Sequence, residues 1–213
     1  MTKWLANDHR EVRPQGSGQN RTLLFLPFCF LALTAQAADT TFWVEPCSIL
    51  RASCQASDAD LARWALEAWA QASTGRLHFV ETKDRTNALI RVRWADKDSG
   101  LYGEAVPIVV NGHRGAELHI LVPEPAKDDP LLRDTIVYLT CLHESGHAMG
   151  LAHTRGFADI MYNFQYGGDI AEYFGRYRRL LMKREDIAKN PGMSPADRDA
   201  LGEAIKNGRP PGN

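Results

Sequence analysis

Residues 143–153 read HESGHAMGLAH, that is His-Glu-x-x-His-x-x-Gly-x-x-His. No other stretch restricts the fold as tightly, because it sets three imidazoles and a carboxylate close together in sequence. His143 and His147 are four positions apart, so a helix stacks them on one face, one turn from each other. Glu144 follows His143 and points about 100° further round the axis. It is too far round to join them as a helical ligand, but well placed to act on a water at a metal they hold. Gly150 falls three residues after His147, where a helix C-terminus calls for a left-handed residue. A reversal there would bring His153 back to the first two. Three protein ligands, a base and one open position are what a catalytic zinc requires.

A bare His-Glu-x-x-His arises by accident on many helices. With Gly150 and His153 added, chance occurrence in a chain this long falls to about one in 10⁴–10⁵, which sets a merely structural helix aside. A second element, Ile160-Met161-Tyr162, lies eight residues past His153. Together the two resemble the metzincins, zinc endopeptidases in which the long histidine motif is followed by a Met-turn. In that family the Met-turn forms an apolar floor beneath the imidazoles, which is the role the resemblance implies for Met161. A soft, adaptable thioether suits it.

The spacing from His153 to Met161 is similar to that of the matrixin branch, in a short bacterial-type form. Astacin-like and serralysin-like branches can bind the metal through a Tyr two places after the Met. Asn163 stands there in this chain, and Tyr162 is not counted as a ligand. Archaemetzincins carry a Cys beside the third His and more beyond it; Thr154 and the Cys-free stretch after it differ from that pattern. The resemblance spans roughly residues 40–207 and is specific only over 143–162.

It implies an α+β, zincin/metzincin-like fold: a twisted, mostly parallel sheet with one antiparallel edge strand, an active-site helix and a C-terminal helix. It implies one catalytic Zn²⁺ on neutral His143, His147 and His153, with Glu144 as general base and then acid in peptide hydrolysis. The expected activity is that of a secreted zinc metalloendopeptidase, a monomer acting on peptide or protein substrates. Two alternatives stay open: an inactive metzincin-like protein that grips peptides, and an archaemetzincin-like aminopeptidase. The aminopeptidase needs a group that captures a free N-terminus, and the sequence displays no acidic cluster for it. His119 falls where matrixins place a ligand for a second, structural metal. Glu104 replaces another such His and the accompanying acids are missing, so neither structural Ca²⁺ nor a second Zn²⁺ is supported.

At 213 residues the chain suits one catalytic domain. Its net charge of −1 gives no electrostatic case for nucleic acid. Leu23 to Leu33 is an apolar run preceded by Arg21 and followed by Ala35-Gln36-Ala37, small residues where a signal peptidase reads. Residues 1–37 are therefore expected to be a signal peptide, with residues 38–213 the catalytic domain, secreted or periplasmic. The run is too short for a stable membrane anchor. Export permits disulfides, and Cys47 with Cys54 is the expected pair. Cys141, two residues before His143, is expected to be a buried free thiol. The surroundings of Cys47 do not match the family's latency switch.

Thr41–Val44, Leu77–Val80, Ala88–Trp94 and Gly115–Val122 read as strands. Leu61, Trp64, Ala65, Ala68 and Trp69 give a helical face, with Ser57-x-x-Asp60 resembling a capping box in front. Strand, helix, strand, strand implies a right-handed crossover and a mainly parallel sheet. Gly100–Pro107 resembles the matrixin segment along the upper rim of the cleft, making Tyr102, Ala105 and Val106 candidate substrate-rim residues. Asp129-Pro130 opens the active-site helix, expected to run to about Met149. Residues 171–183 read as a helix that buries one face on the domain, with a wall of the cleft as the alternative. Ser194-Pro195-Ala196-Asp197 opens a last helix, and residues 208–213 are expected to fray.

Overall fold

The computed structural model describes residues 39–47, 53–95, 102–124 and 128–212; the expected leader, residues 1–37, lies outside them. Five strands and four helices are described: β1 (Asp39–Val44), α1 (Asp58–Ala72), β2 (His78–Glu81), β3 (Ile90–Ala95), β4 (Gly103–Val110), β5 (His113–Leu121), α2 (Pro130–Ala148), α3 (Ile170–Arg178) and α4 (Pro195–Lys206). The strands form one sheet in the order β2-β1-β3-β5-β4. β1 pairs in parallel with β2 and β3, and β3 in parallel with β5. β4 alone runs antiparallel, paired to β5 at the edge of the sheet. This is the expected α+β arrangement.

Alternation decides which face of the sheet is covered. In β3, Ile90, Val92 and Trp94 are buried while Arg91 and Arg93 point the other way, half-exposed. Arg93 there meets Glu117 of β5 at 3.3 Å. In β5, Ala116, Leu118 and Ile120 continue the buried face. Helices α1 and α2 pack on each other, and α2 also packs on β4 and β5. Trp69 is the pin between the helices: fully buried, it donates its indole N–H to the Leu142 carbonyl and to Ser145 Oγ, each at 3.0 Å. Burying an aromatic of this size contributes about 2–3 kcal/mol, and its one polar atom is satisfied.

Two expectations need correction. Ser57 precedes α1, but its backbone is helical and its side chain makes no cap. The carboxylate of Asp58 takes the Gln55 N–H at 2.8 Å instead. It is drawn inward by Arg133 of α2, whose guanidinium grips both its oxygens at 2.7 and 2.8 Å and also donates to the Ser53 carbonyl at 2.7 Å. The tail beyond α4 does not fray over residues 208–212. Arg209 N–H returns to the Ala204 carbonyl, Pro210 and Pro211 are buried, and Thr40 of β1 donates to the Pro211 carbonyl at 3.3 Å. Two consecutive prolines can be buried there because neither brings an N–H that must be satisfied.

Cys47 and Cys54 are joined as a disulfide, their Cα atoms 5.7 Å apart, within the usual span. Ser53, next to Cys54, accepts from Arg133 and so ties this end of the disulfide to α2.

Both Asp58 and Arg133 are almost fully buried. Removing one partner of such a pair strands the other charge, which costs about 3–5 kcal/mol. Asp58→Ala is expected to lose that much stability in denaturant unfolding. Loss of less than about 1 kcal/mol, the value of an exposed pair, would contradict the role given to this contact.

Candidate metal centre

Helix α2 starts as its sequence dictates, with the Asp129 carboxylate accepting from the Leu132 N–H at 3.1 Å and Pro130 in the first turn. Arg178 of α3 holds the same carboxylate at 2.9 and 3.1 Å. At the other end the helix closes in a Schellman arrangement. The Leu151 N–H bonds the Gly146 carbonyl and the Gly150 N–H bonds the His147 carbonyl. Gly150 has φ of +87°, and a side chain there would also strike Arg209, whose Cβ lies 2.6 Å from the position a Cβ would take. Both conformation and packing therefore require glycine.

The reversal does two things. It returns His153 to the helix, and it aims the Leu151 carbonyl at His147 Nδ1, 2.9 Å away. His143 Nδ1 donates to the Ile160 carbonyl at 2.6 Å. His153 Nδ1 faces the side-chain amide of Asn163 at 3.1 Å. With their Nδ1 atoms engaged outward, the rings turn Nε2 inward: His153 Nε2 stands 3.2 Å from that of His143 and 3.1 Å from that of His147. Donors arranged tetrahedrally about 2.0–2.1 Å from a zinc ion lie roughly 3.3 Å apart. The donor set and its spacing thus fit zinc, and these three residues are a group able to hold a metal.

The floor beneath them is braced from two sides. Met161 is fully buried, its Sδ against Gly146 on the turn of α2 between the two helical histidines. Its carbonyl accepts from the Thr154 N–H at 2.8 Å, which straps the Met-turn to the segment just after His153. From below, the buried carboxylate of Asp197 accepts the N–H groups of Ile160 at 2.9 Å and Met161 at 3.3 Å. It also closes the capping box of α4 through the Ser194 N–H. The sequence announces Asp197 as an early acid of α4, but nothing in it reveals the tie to the Met-turn, 36 residues away. The Tyr162 hydroxyl is spent on the Gly167 carbonyl at 2.9 Å, consistent with not counting it as a ligand.

Glu144 sits beside the histidines and is 6% exposed. Burial above all, then the negative charge of Glu104, pushes its carboxyl up to about 8. Gly103 at the start of β4 lies directly over it; a Cβ at that position would come within 2.7 Å of Glu144 Cγ and 2.8 Å of Oε1. Burial, reinforced by the neighbouring imidazoles, lowers His143 to about 4. A ligand histidine must be neutral, so this favours ligation. His153 is lowered for the same reasons. Cys141 is buried and unpaired, and burial pushes its thiol up, leaving it a poor competitor for metal.

A cleft of about 550 Å³ opens over these groups. Of the rim candidates, Tyr102 and Ala105 line it together with Gly103 and Glu104; Val106 does not. Helix α3 closes the far side with Ile170, Tyr173 and Phe174, and the Phe174 ring meets Tyr102 at 5.1 Å between centroids. Tyr173, Phe174 and Tyr177 are at the same time buried on the domain. Packing and cleft wall, posed as alternatives for this segment, are one face doing both. Glu104, noted in the sequence only for standing where a structural-metal His would be, brings a second carboxylate to the cleft lining.

No model of a known protein family matches the chain, and no curated protein does. Among solved structures, archaemetzincin from Methanopyrus kandleri is similar with a TM-score of 0.44 and 15% sequence identity, over 83% of this chain and 99% of that one.

Burial of Glu144 carries a pH signature. The unfolded carboxyl releases its proton near 4.5, the folded one near 8. Between these values the folded state keeps a proton the unfolded state has lost, so stability falls as pH rises through that window. Glu144→Gln removes the effect. The metal-free variant is expected to melt above the metal-free parent at pH 8, by at least about 2–4 °C, with the gap closing toward pH 4.5. A gap that does not change between those two pH values would contradict this.

Proposed function

We propose that the chain is a zinc-dependent endopeptidase acting outside the cytoplasm. The observation that carries the reading is the convergence of three imidazoles, with His153 Nε2 at 3.2 Å from that of His143 and 3.1 Å from that of His147, and Glu144 buried beside them in an open cleft. Zinc held there would supply Lewis acidity toward a carbonyl and a water acidified to a pKa of about 7.

The chain's own residues account for the rest. His143, His147 and His153 would hold the ion as neutral imidazoles, the first two with Nδ1 already donating to a backbone carbonyl. Glu144 takes the proton of the attacking water on its carboxylate and delivers it to the leaving amine. Gly103 keeps the base covered without touching it too closely. Among the described residues β4 is the edge strand of the sheet, where an extended peptide would add as a further strand beside the cleft. The aromatic wall of Phe164, Tyr173 and Phe174 favours a bulky apolar side chain next to the cut.

Secretion or a periplasmic location is supported by the leader-like residues 1–37 and by the Cys47–Cys54 disulfide. Among the described residues no helix is long and apolar enough to cross a membrane. The matrixin-like assignment rests on the spacing of the Met-turn and on the antiparallel edge strand beside the cleft.

One observation favours a second reading, an archaemetzincin-like aminopeptidase. Glu104 is well exposed on the cleft lining and could pair with a substrate ammonium. Peptides with blocked N-termini separate the two. The endopeptidase reading expects them to be cut at internal bonds, with a chelator abolishing the activity and zinc restoring it. Glu144→Gln should keep its zinc and lose about 10²–10⁴-fold in rate. Cleavage confined to free N-terminal residues would transfer the assignment to the aminopeptidase. A fully active Glu144→Gln would contradict both.

A further inference from the structure

The three histidines do not have equivalent supports. A histidine that ligates through Nε2 as a neutral ring carries its hydrogen on Nδ1, and that hydrogen needs an acceptor. His143 and His147 each have a backbone carbonyl, from Ile160 and Leu151. For His153 no carbonyl is found among the described residues: its Nδ1 meets the Asn163 side chain at 3.1 Å, and the amide turns its Nδ2, a donor, toward the ring.

The amide oxygen is engaged elsewhere. Asn163 Oδ1 accepts from the Gln165 N–H at 2.8 Å, capping the short 3₁₀ turn Phe164–Tyr166. That turn belongs to the cleft: Phe164 and Gln165 line it, and Phe164 packs edge-on against Tyr162 and Tyr173 at 5.5 and 5.0 Å. An amide has one oxygen, and two N–H groups call for it.

We propose that Asn163 is the positioning residue of the third metal ligand, and that its single amide oxygen is contested between His153 and the 164–166 turn of the cleft wall. The proposal rests on the zinc reading of His143, His147 and His153. When zinc is loaded, the His153 Nδ1–H takes the oxygen, the amide turns over, and the Gln165 N–H gives up its cap. Metal affinity therefore includes the cost of releasing that turn. A carboxylate at 163 has an oxygen for each N–H and removes the conflict. Alanine supports neither.

The test is direct zinc affinity, measured on metal-free protein by competition with a chromophoric chelator, for the parent, Asn163→Ala, Asn163→Asp and His153→Ala. Thermal unfolding of each metal-free form checks folding. Asn163→Ala should bind zinc about 10–100-fold more weakly, the usual effect of losing such a support. Asn163→Asp should bind about five- to tenfold more tightly than the parent, as charge-assisted bonds are about twice as strong as neutral ones. If Asn163→Ala unfolds more easily, the comparison of Asn163→Asp with the parent decides, since aspartate keeps the Gln165 cap. Affinities within twofold for parent, alanine and aspartate forms would overturn the proposal and leave the zinc reading standing. Equal affinity of the parent and His153→Ala would overturn both.

Discussion

The turn at Gly150 is the constraint on which the rest of the site depends. With φ of +87° and Arg209 packed against it, the chain leaves α2 by one path. That path closes the last carbonyls of the helix, returns His153 to the two helical histidines, and turns the Leu151 carbonyl onto His147. Thr154, directly after His153, then bonds the Met161 carbonyl and sets the floor. A substitution at 150 would thus be felt at two ligands and at the Met-turn together.

Around this turn the fold supplies rigidity from separate elements. α1 pins α2 through Trp69 and through the buried Asp58–Arg133 pair. α4 holds the Met-turn backbone through Asp197. β4 brings Gly103 over Glu144, and α3 completes the aromatic side of the cleft. Trp69 and Asp197 act through α2 and the Met-turn, which carry or support the three histidines, while Gly103 and α3 shape the surroundings of Glu144.

What could be read from the sequence was whatever is written locally. The strands of the sheet show as apolar alternation, and the Asp129 cap of α2 as residue type, each within a few residues of its position. The ligand triplet is legible because helical period and a glycine reversal are both short-range rules. The misses have longer reach. Ser57 looks like a cap, but Asp58 is claimed by Arg133, 75 residues on. The tail after α4 looks free, yet it lies on β1 through Thr40. Asp197 and Asn163 look like ordinary helix and turn formers; their work on the Met-turn and on His153 exists only once distant segments meet. Glu104 belongs to the same class, since strand pairing carries it to the cleft.

The central claim is that three imidazoles, and no sulfur or further carboxylate, hold a single zinc. X-ray absorption at the zinc edge of protein loaded with one equivalent of metal tests it most directly. The account predicts four light ligands at about 2.0–2.1 Å, with the outer-shell pattern of three imidazole rings. A sulfur ligand at about 2.3 Å, which would bring in Cys141 or an opened Cys47–Cys54 pair, would contradict it, as would a shell with fewer than three imidazoles.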